Sequence, residues 1–141
     1  MEYRREVFWC GPDRIAFDHL RPREYFGFLQ SMFPRFDAAA LPAHLAAFGL
    51  ESVAKKRLSE LSTGTQRKVW LSAALVVGTR VVLLDEPLNA LDKNSLSYML
   101  QQLEVCAADR QRAWIVASHA SLGDAGAAAT SVIDLVPPAA G

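Results

Sequence analysis

The chain has 141 residues, a length that suits one domain and removes roughly 68–70% of the unfolded surface from water. Its 51% hydrophobic and 21% charged residues are those of a globular domain, and 15 basic side chains balance 15 acidic ones, so no overall field draws it to nucleic acid or anionic lipid. The first ten residues, MEYRREVFWC, lack the apolar core of a signal peptide, and the most apolar stretch, Val69–Leu84, falls short of the ~20 residues of a membrane span and contains Arg80, so a cytosolic chain is expected that meets a membrane only through a partner.

Glu6–Cys10 reads as a short strand, ended by the breaker pair Gly11-Pro12. Pro22 suits the first turn of a helix, where its missing N–H leaves nothing unpaired. Tyr25, Phe26, Phe28, Leu29, Met32 and Phe33 then recur at helical spacing and predict one wide apolar face, stopped by Pro34. A second helix is expected from near Asp37, an N-cap type, with Leu41, Leu45 and Phe48 on one side and Gly49 at its end; Pro42 fits it only in the first turn. The Lys55-Lys56-Arg57 cluster reads as a solvated turn.

A third helix is predicted from Thr63 to about Val77, with Val69, Trp70, Ala73 and Val77 toward a core. Arg80–Asp85 follows as consecutive apolar residues ending in acid, the pattern of a strand buried on both faces. Asp92 or Ser95 then caps a helix carrying Leu96, Leu100, Leu103 and Ala107 on one side. Ala113–Ser118 and Ser131–Val136 read as further strands, separated by an Ala- and Gly-rich stretch that forms a short helix or a loop, and Pro137-Pro138 closes the fold. Cys10 and Cys106 have no metal-ligand spacing and are expected as buried or half-buried thiols. Strand alternating with helix from Arg80 onward predicts an α/β fold with a parallel sheet.

Four segments carry chemistry. In LSTGTQ, Leu61–Gln66, Ser62 stands just before a helical pattern, where its hydroxyl can cap free N–H groups. Those N–H groups and the helix dipole also suit an anion such as a phosphate, and Gly64 allows a close backbone approach. In VVLLDEP, Val81–Pro87, Asp85 and Glu86 stand at the carboxyl end of a parallel strand, where open α/β sheets bind ligands. Carboxylate oxygens there suit Mg²⁺, and an adjacent Glu that polarises water is typically worth ~10²–10⁴-fold in rate. LNALD, Leu88–Asp92, is a polar turn before a helix, and His119 ends an apolar strand 34 residues after Asp85.

In order and spacing these segments resemble the later part of an ATP-binding cassette (ABC) ATPase, over about Val7 to Val136. LSTGTQ is similar to the family's signature loop, with Leu61, Ser62 and Gly64 matching, as do Gln66 and Arg67 after it; Thr63 and Thr65 depart from its first Gly and its Gln. The resemblance implies a P-loop NTPase type of parallel sheet, incomplete here, with a helical subdomain at about 20–77 and part of the catalytic core at 78–141. It makes Asp85 of the Walker B segment the Mg²⁺ residue, and Glu86 and the switch histidine His119 catalytic. Ser62, Thr63, Gly64 and Gln66 become ATP contacts in trans, and Asp92 the D-loop residue. It implies ATP and Mg²⁺ as cofactors, transmembrane permease subunits and a second ABC ATPase subunit as partners, and a peripheral place at the inner or plasma membrane.

No GxxxxGK[ST] loop occurs anywhere in the chain, and the stretch Cys10-Gly11-Pro12-Asp13 lacks the glutamine the family has after that strand. The expectation is that the P-loop precedes residue 1 in the full cassette, the chain being truncated, split or read from a late start. Phosphoryl transfer relies on that loop for positioning and electrostatic stabilisation, so weak ATP binding is expected of the chain alone. Loss of the loop's strand is expected to leave both Arg80–Asp85 and Ala113–Ser118 with unpaired backbone. The leading reading is the ATP-binding subunit of an ABC-type transporter. Alternatives are a non-catalytic partner donating its signature loop to a complete cassette, a soluble ABC ATPase of translation or DNA repair, and an inactive remnant.

Overall fold

Three short parallel strands, β1 (Val7–Cys10), β2 (Val81–Asp85) and β3 (Ala113–Ala117), form one sheet in the order β1-β2-β3. The computed structural model describes residues 5–12 and 17–135; Asp13, Val136 and Pro137-Pro138 lie outside the described residues. Parallel neighbours need long crossovers. Between β1 and β2 the chain forms α1 (Pro22–Met32), α2 (Leu41–Ala47) and α3 (Thr63–Val76), and between β2 and β3 it forms α4 (Lys93–Ala108). A four-residue turn of helix, α5 (Asp124–Ala127), follows β3.

The core lies on one side of the sheet. Phe8, Cys10, Val82 and Leu84 point there and pack with Val69, Trp70 and Ala73 of α3 and with Met99 and Leu103 of α4. The other side carries the row Trp9, Leu83 and Ile115, aligned across all three strands by their register. Trp9 is 55% and Ile115 56% exposed, so this row is apolar and largely uncovered. β2 is therefore buried on one face and half-buried on the other, and β3 alternates between exposed and half-buried, where burial on both faces was expected for each. Consecutive apolar residues announced a two-sided environment that the described residues supply on one side only. The pairing expectation is also corrected for Arg80–Asp85: β2 is the central strand, bonded to both neighbours, whereas β3, like β1 on the other side, has one edge without a described partner.

The helices follow their local chemistry. α1 starts at Pro22, and the Glu24 carboxylate accepts the Arg21 N–H at 2.7 Å. Tyr25, Phe26, Leu29 and Phe33 are buried, with Tyr25 edge-on to Trp70, whereas Phe28 and Met32 face outward and narrow the predicted apolar side. The second helix begins at Leu41 instead of near Asp37: the Asp37 carboxylate caps the preceding turn through the Ala40 N–H at 3.0 Å, and Pro42 then occupies the first helical turn. Gly78 ends the α3 segment with φ +74°, where a side chain would strike the Arg35 carbonyl. α4 turns Ser95, Met99, Leu103 and Cys106 inward, a stripe displaced from Leu96, Leu100, Leu103 and Ala107, because Tyr98 and Leu100 pack at the rim of the core.

Ser131–Leu135 forms no strand; Val132, Ile133 and Leu135 are exposed. β propensity without a paired neighbour does not hold a strand. Both cysteines are free and buried, and burial pushes the Cys10 thiol up to about 11 and the Cys106 thiol up to about 12, as expected of inert core thiols. Among the described residues no helix is long and apolar enough to cross a membrane.

Candidate functional site

The carboxyl ends of β2 and β3 lie side by side because Asp85 pairs with Ala117. One residue beyond each end, the chain leaves the sheet. Glu86 turns with φ +49°, a conformation unusual for a residue with a side chain, while its N–H still donates to the Ala117 carbonyl at 2.8 Å. That turn aims the Glu86 carboxylate at the start of the next segment. Its Oε1 accepts the backbone N–H of His119 at 3.0 Å and also meets His119 Nδ1. The Glu86 side chain is 14% exposed and that of His119 98%, so a shielded carboxylate holds a ring that is open to whatever approaches. Asp85 stands half-buried at the strand end beside them. Two residues 33 apart in sequence are thus brought into one pair, and the third adjoins it.

The loop from Glu86 to Asp92 crosses from β2 to α4. The Asn89 N–H bonds back to the Glu86 carbonyl at 3.2 Å, and Ala90 takes φ +62°. Two non-glycine residues in the left-handed region within five positions store strain of about 1–3 kcal/mol each, a pattern that clusters at functional sites. Asp92 is the N-cap of α4. One of its oxygens accepts the Ser95 N–H at 3.0 Å and the other the Ser95 hydroxyl at 3.0 Å, and Lys68 forms an ion pair with it. Lys68 and the helix cap together hold the Asp92 carboxyl well below the usual carboxylate range.

The serine-led segment forms the N-terminus of α3. Ser62 is the N-cap: its hydroxyl accepts the Thr65 N–H at 3.2 Å and pairs with the Thr65 hydroxyl at 2.8 Å. Ser62 and Thr63 are exposed at the positive end of a 14-residue helix dipole. Gln66 behaves differently from expectation. It is buried, and its Nε2 donates to the Leu58 carbonyl at 2.6 Å, so it secures the loop's own backbone instead of presenting an amide to an anion. Arg67 is likewise buried and donates to the Gly11 carbonyl at 3.0 Å, tying α3 to the end of β1.

One contact was missed by the motif reading. The first turn of α3 lies against the Glu86–Asp92 loop, with Gly64 so near the Ala90 carbonyl that a Cβ would stand 2.5 Å from the oxygen. Lys68, one turn further on, reaches Asp92 in the same loop. The signal present in the sequence was a glycine beside a helix cap and a lysine at helical spacing from it.

Two surface cavities, of about 390 and 360 Å³, are lined by Arg21, Arg23 and Lys55 and by Arg35, Asp109 and Arg112 among others, and neither touches Asp85, Glu86 or His119. Among the described residues no three His, Cys, Asp or Glu gather into a metal cage. The donor set fits Mg²⁺ of the kind held by one or two carboxylates together with phosphate oxygens.

Comparison with known proteins adds an independent line. The family model described as ABC transporter matches residues 2–89. The cytochrome c biogenesis ATP-binding export protein CcmA of Yersinia pestis bv. Antiqua (strain Nepal516) is 33% identical over 122 residues, which cover 86% of this chain and 56% of that protein. The molybdenum import ATP-binding protein ModC of Pseudomonas syringae pv. syringae (strain B728a) is 29% identical, covering 84% of this chain and 33% of that one. A solved ATP-binding subunit of an ABC transporter superposes with a TM-score of 0.75 at 21% identity, over 84% of this chain and 50% of its own. The chain spans about half the length of the CcmA protein and of that solved subunit.

Proposed function

This chain belongs to the ABC transporter family, and on that premise we propose that it supplies the carboxylate, switch-histidine and signature walls of an ATP site in a transporter's ATP-binding subunit. The phosphate-gripping loop comes from a segment outside these 141 residues, since none of them forms GxxxxGK[ST]. The observation that carries this reading is the Glu86–His119 pair at the adjoining ends of β2 and β3. Ligands of open α/β sheets bind at that end.

The roles follow from position. Asp85, half-buried at the strand end, is the residue for Mg²⁺, which when bound neutralises phosphate charge. Glu86 is the shielded carboxylate able to accept a proton from an attacking water, and its contact with His119 fixes the ring that meets the terminal phosphate. Ser62 and Thr63, with half-buried Gly64 beside them, offer the start of α3 to nucleotide held by a second ATPase subunit, while Gln66 keeps that loop in shape from behind. Asp92 organises the turn between the two halves. In the assembly, permease subunits in the membrane carry the substrate, and the chain sits at the membrane through them.

A second reading has one observation in its favour: the Ser62 end of α3 is fully formed and exposed while the chain has no phosphate loop of its own. Under it, the chain is a non-catalytic partner that lends Ser62 and Gly64 to a complete cassette. One experiment separates the two. The chain is combined with a separately expressed cassette segment carrying GxxxxGK[ST] and with an intact ABC ATPase subunit, and ATP turnover is measured for wild type, Ser62→Arg and Glu86→Gln. Losses in both variants, of ~10²-fold or more for Glu86→Gln, support the first reading. A loss in Ser62→Arg alone supports the second, and indifference to both removes the site.

A further inference from the structure

We propose that Lys68 is a positioning residue of this site: paired with Asp92, it fastens the first turn of α3 to the Glu86–Asp92 loop so that the two move as one body. The inference deepens the reading above, on which its bearing on ATP rests, but the fastening is a property of the chain alone.

Four observations carry it. The Lys68 ammonium meets Asp92 across 24 residues of sequence, and the Lys68 side chain is 16% exposed, so its stem is packed in place and its charge partly sheltered from solvent. Asp92 is itself tied to α4, because both of its oxygens accept from Ser95 in capping that helix. Four residues earlier on the same face of α3, Gly64 abuts the Ala90 carbonyl, and any side chain there would displace one segment from the other. At its far end the loop is anchored through Glu86, whose N–H is bonded to Ala117 and whose carboxylate is bonded to His119. The loop is therefore held at Glu86, at Ala90 and at Asp92, and two of those three holds come from α3. A ligand contact at Ser62 or Thr63 bears, through Ala90 and Asp92, on the loop that begins at Glu86. A lone surface ion pair is worth little, but this one closes a ring of contacts that the backbone alone leaves open.

The test uses the whole chain without nucleotide, so its failure is distinguishable from failure of the ATP reading. Amide hydrogen exchange is followed in wild type, Lys68→Met, Lys68→Arg and Asp92→Asn, the last keeping an N-cap side chain while removing the charge. Lys68→Met is expected to speed exchange about tenfold or more at Thr65 and Gln66 on one side of the contact, and at Glu86, Ser95 and Leu96 on the other, since all five N–H groups are bonded within these two segments or where the loop leaves β2. Amides inside β1 and β2 should not change. Lys68→Arg restores slow exchange, and Asp92→Asn reproduces the Lys68→Met pattern with no further increase in the double variant. Faster exchange confined to Ser95 and Leu96, or no change in either segment, overturns the proposal. Should Lys68→Met unfold the chain, Asp92→Asn alone decides by the same amides.

Discussion

Glu86 shows how much a single backbone conformation decides. In an extended conformation its side chain would continue the alternation of β2; at φ +49° it bends over the sheet end and meets His119. Unlike exposed His119, His44 is half-buried between α2 and α4, where its Nδ1 pairs with the Tyr98 hydroxyl at 2.7 Å. Burial lowers the His44 pKa below its ordinary 6.5, with the Asp37 charge opposing that shift. The unfolded chain then binds a proton at His44 that the folded chain does not, so stability is full above about pH 6.5 and is lost as pH falls from there toward the folded value. Urea unfolding at pH 7.5 and 5.5 should show a lower midpoint at the acid end, and His44→Gln should remove that part of the difference. An unchanged slope in the variant would assign the acid loss to other groups.

At the scale of elements, β3 is the part to watch. Its edge has no described partner, its run AWIVA has no charge, and Ile115 is exposed in line with Leu83 and Trp9. Such an edge templates association. Ile115→Lys is expected to slow aggregation on concentration, followed by light scattering, with stability changed by no more than about 0.5 kcal/mol, the range of surface substitutions. Equal aggregation in the variant would move the sticky surface elsewhere.

The same strands mark what was legible in the sequence. β1, α1, α3, β2, α4 and β3 were readable to within one or two residues, because Gly, Pro and capping Ser62 and Asp92 punctuate them. Burial was not legible where it depends on neighbours: an apolar run states what a strand tolerates, and the packing around β3 and Ser131–Leu135 states what it has. For the site, the resemblance singled out Glu86 and His119 one by one, and their direct contact appears only in the structure. The turning away of Gln66 and the closure of Lys68 on Asp92 were not legible either, since both depend on how α3 sits on loops far off in sequence.

For the whole molecule, the sheet presents a carboxyl end ordered by the Glu86–His119 pair, an apolar face and an uncharged β3 edge without a described partner. The relatives it matches are longer, this chain covering 56% of CcmA and 50% of the solved subunit. Membership of the ABC transporter family is shown; the account proposed on it is that the chain is a set of walls for a nucleotide, with the loop that grips phosphate contributed from elsewhere. ATP turnover by the purified chain, alone and as Glu86→Gln, tests that account most directly. It predicts turnover at background in both proteins. Steady hydrolysis by the chain alone, lost in Glu86→Gln, would contradict it by making these residues sufficient.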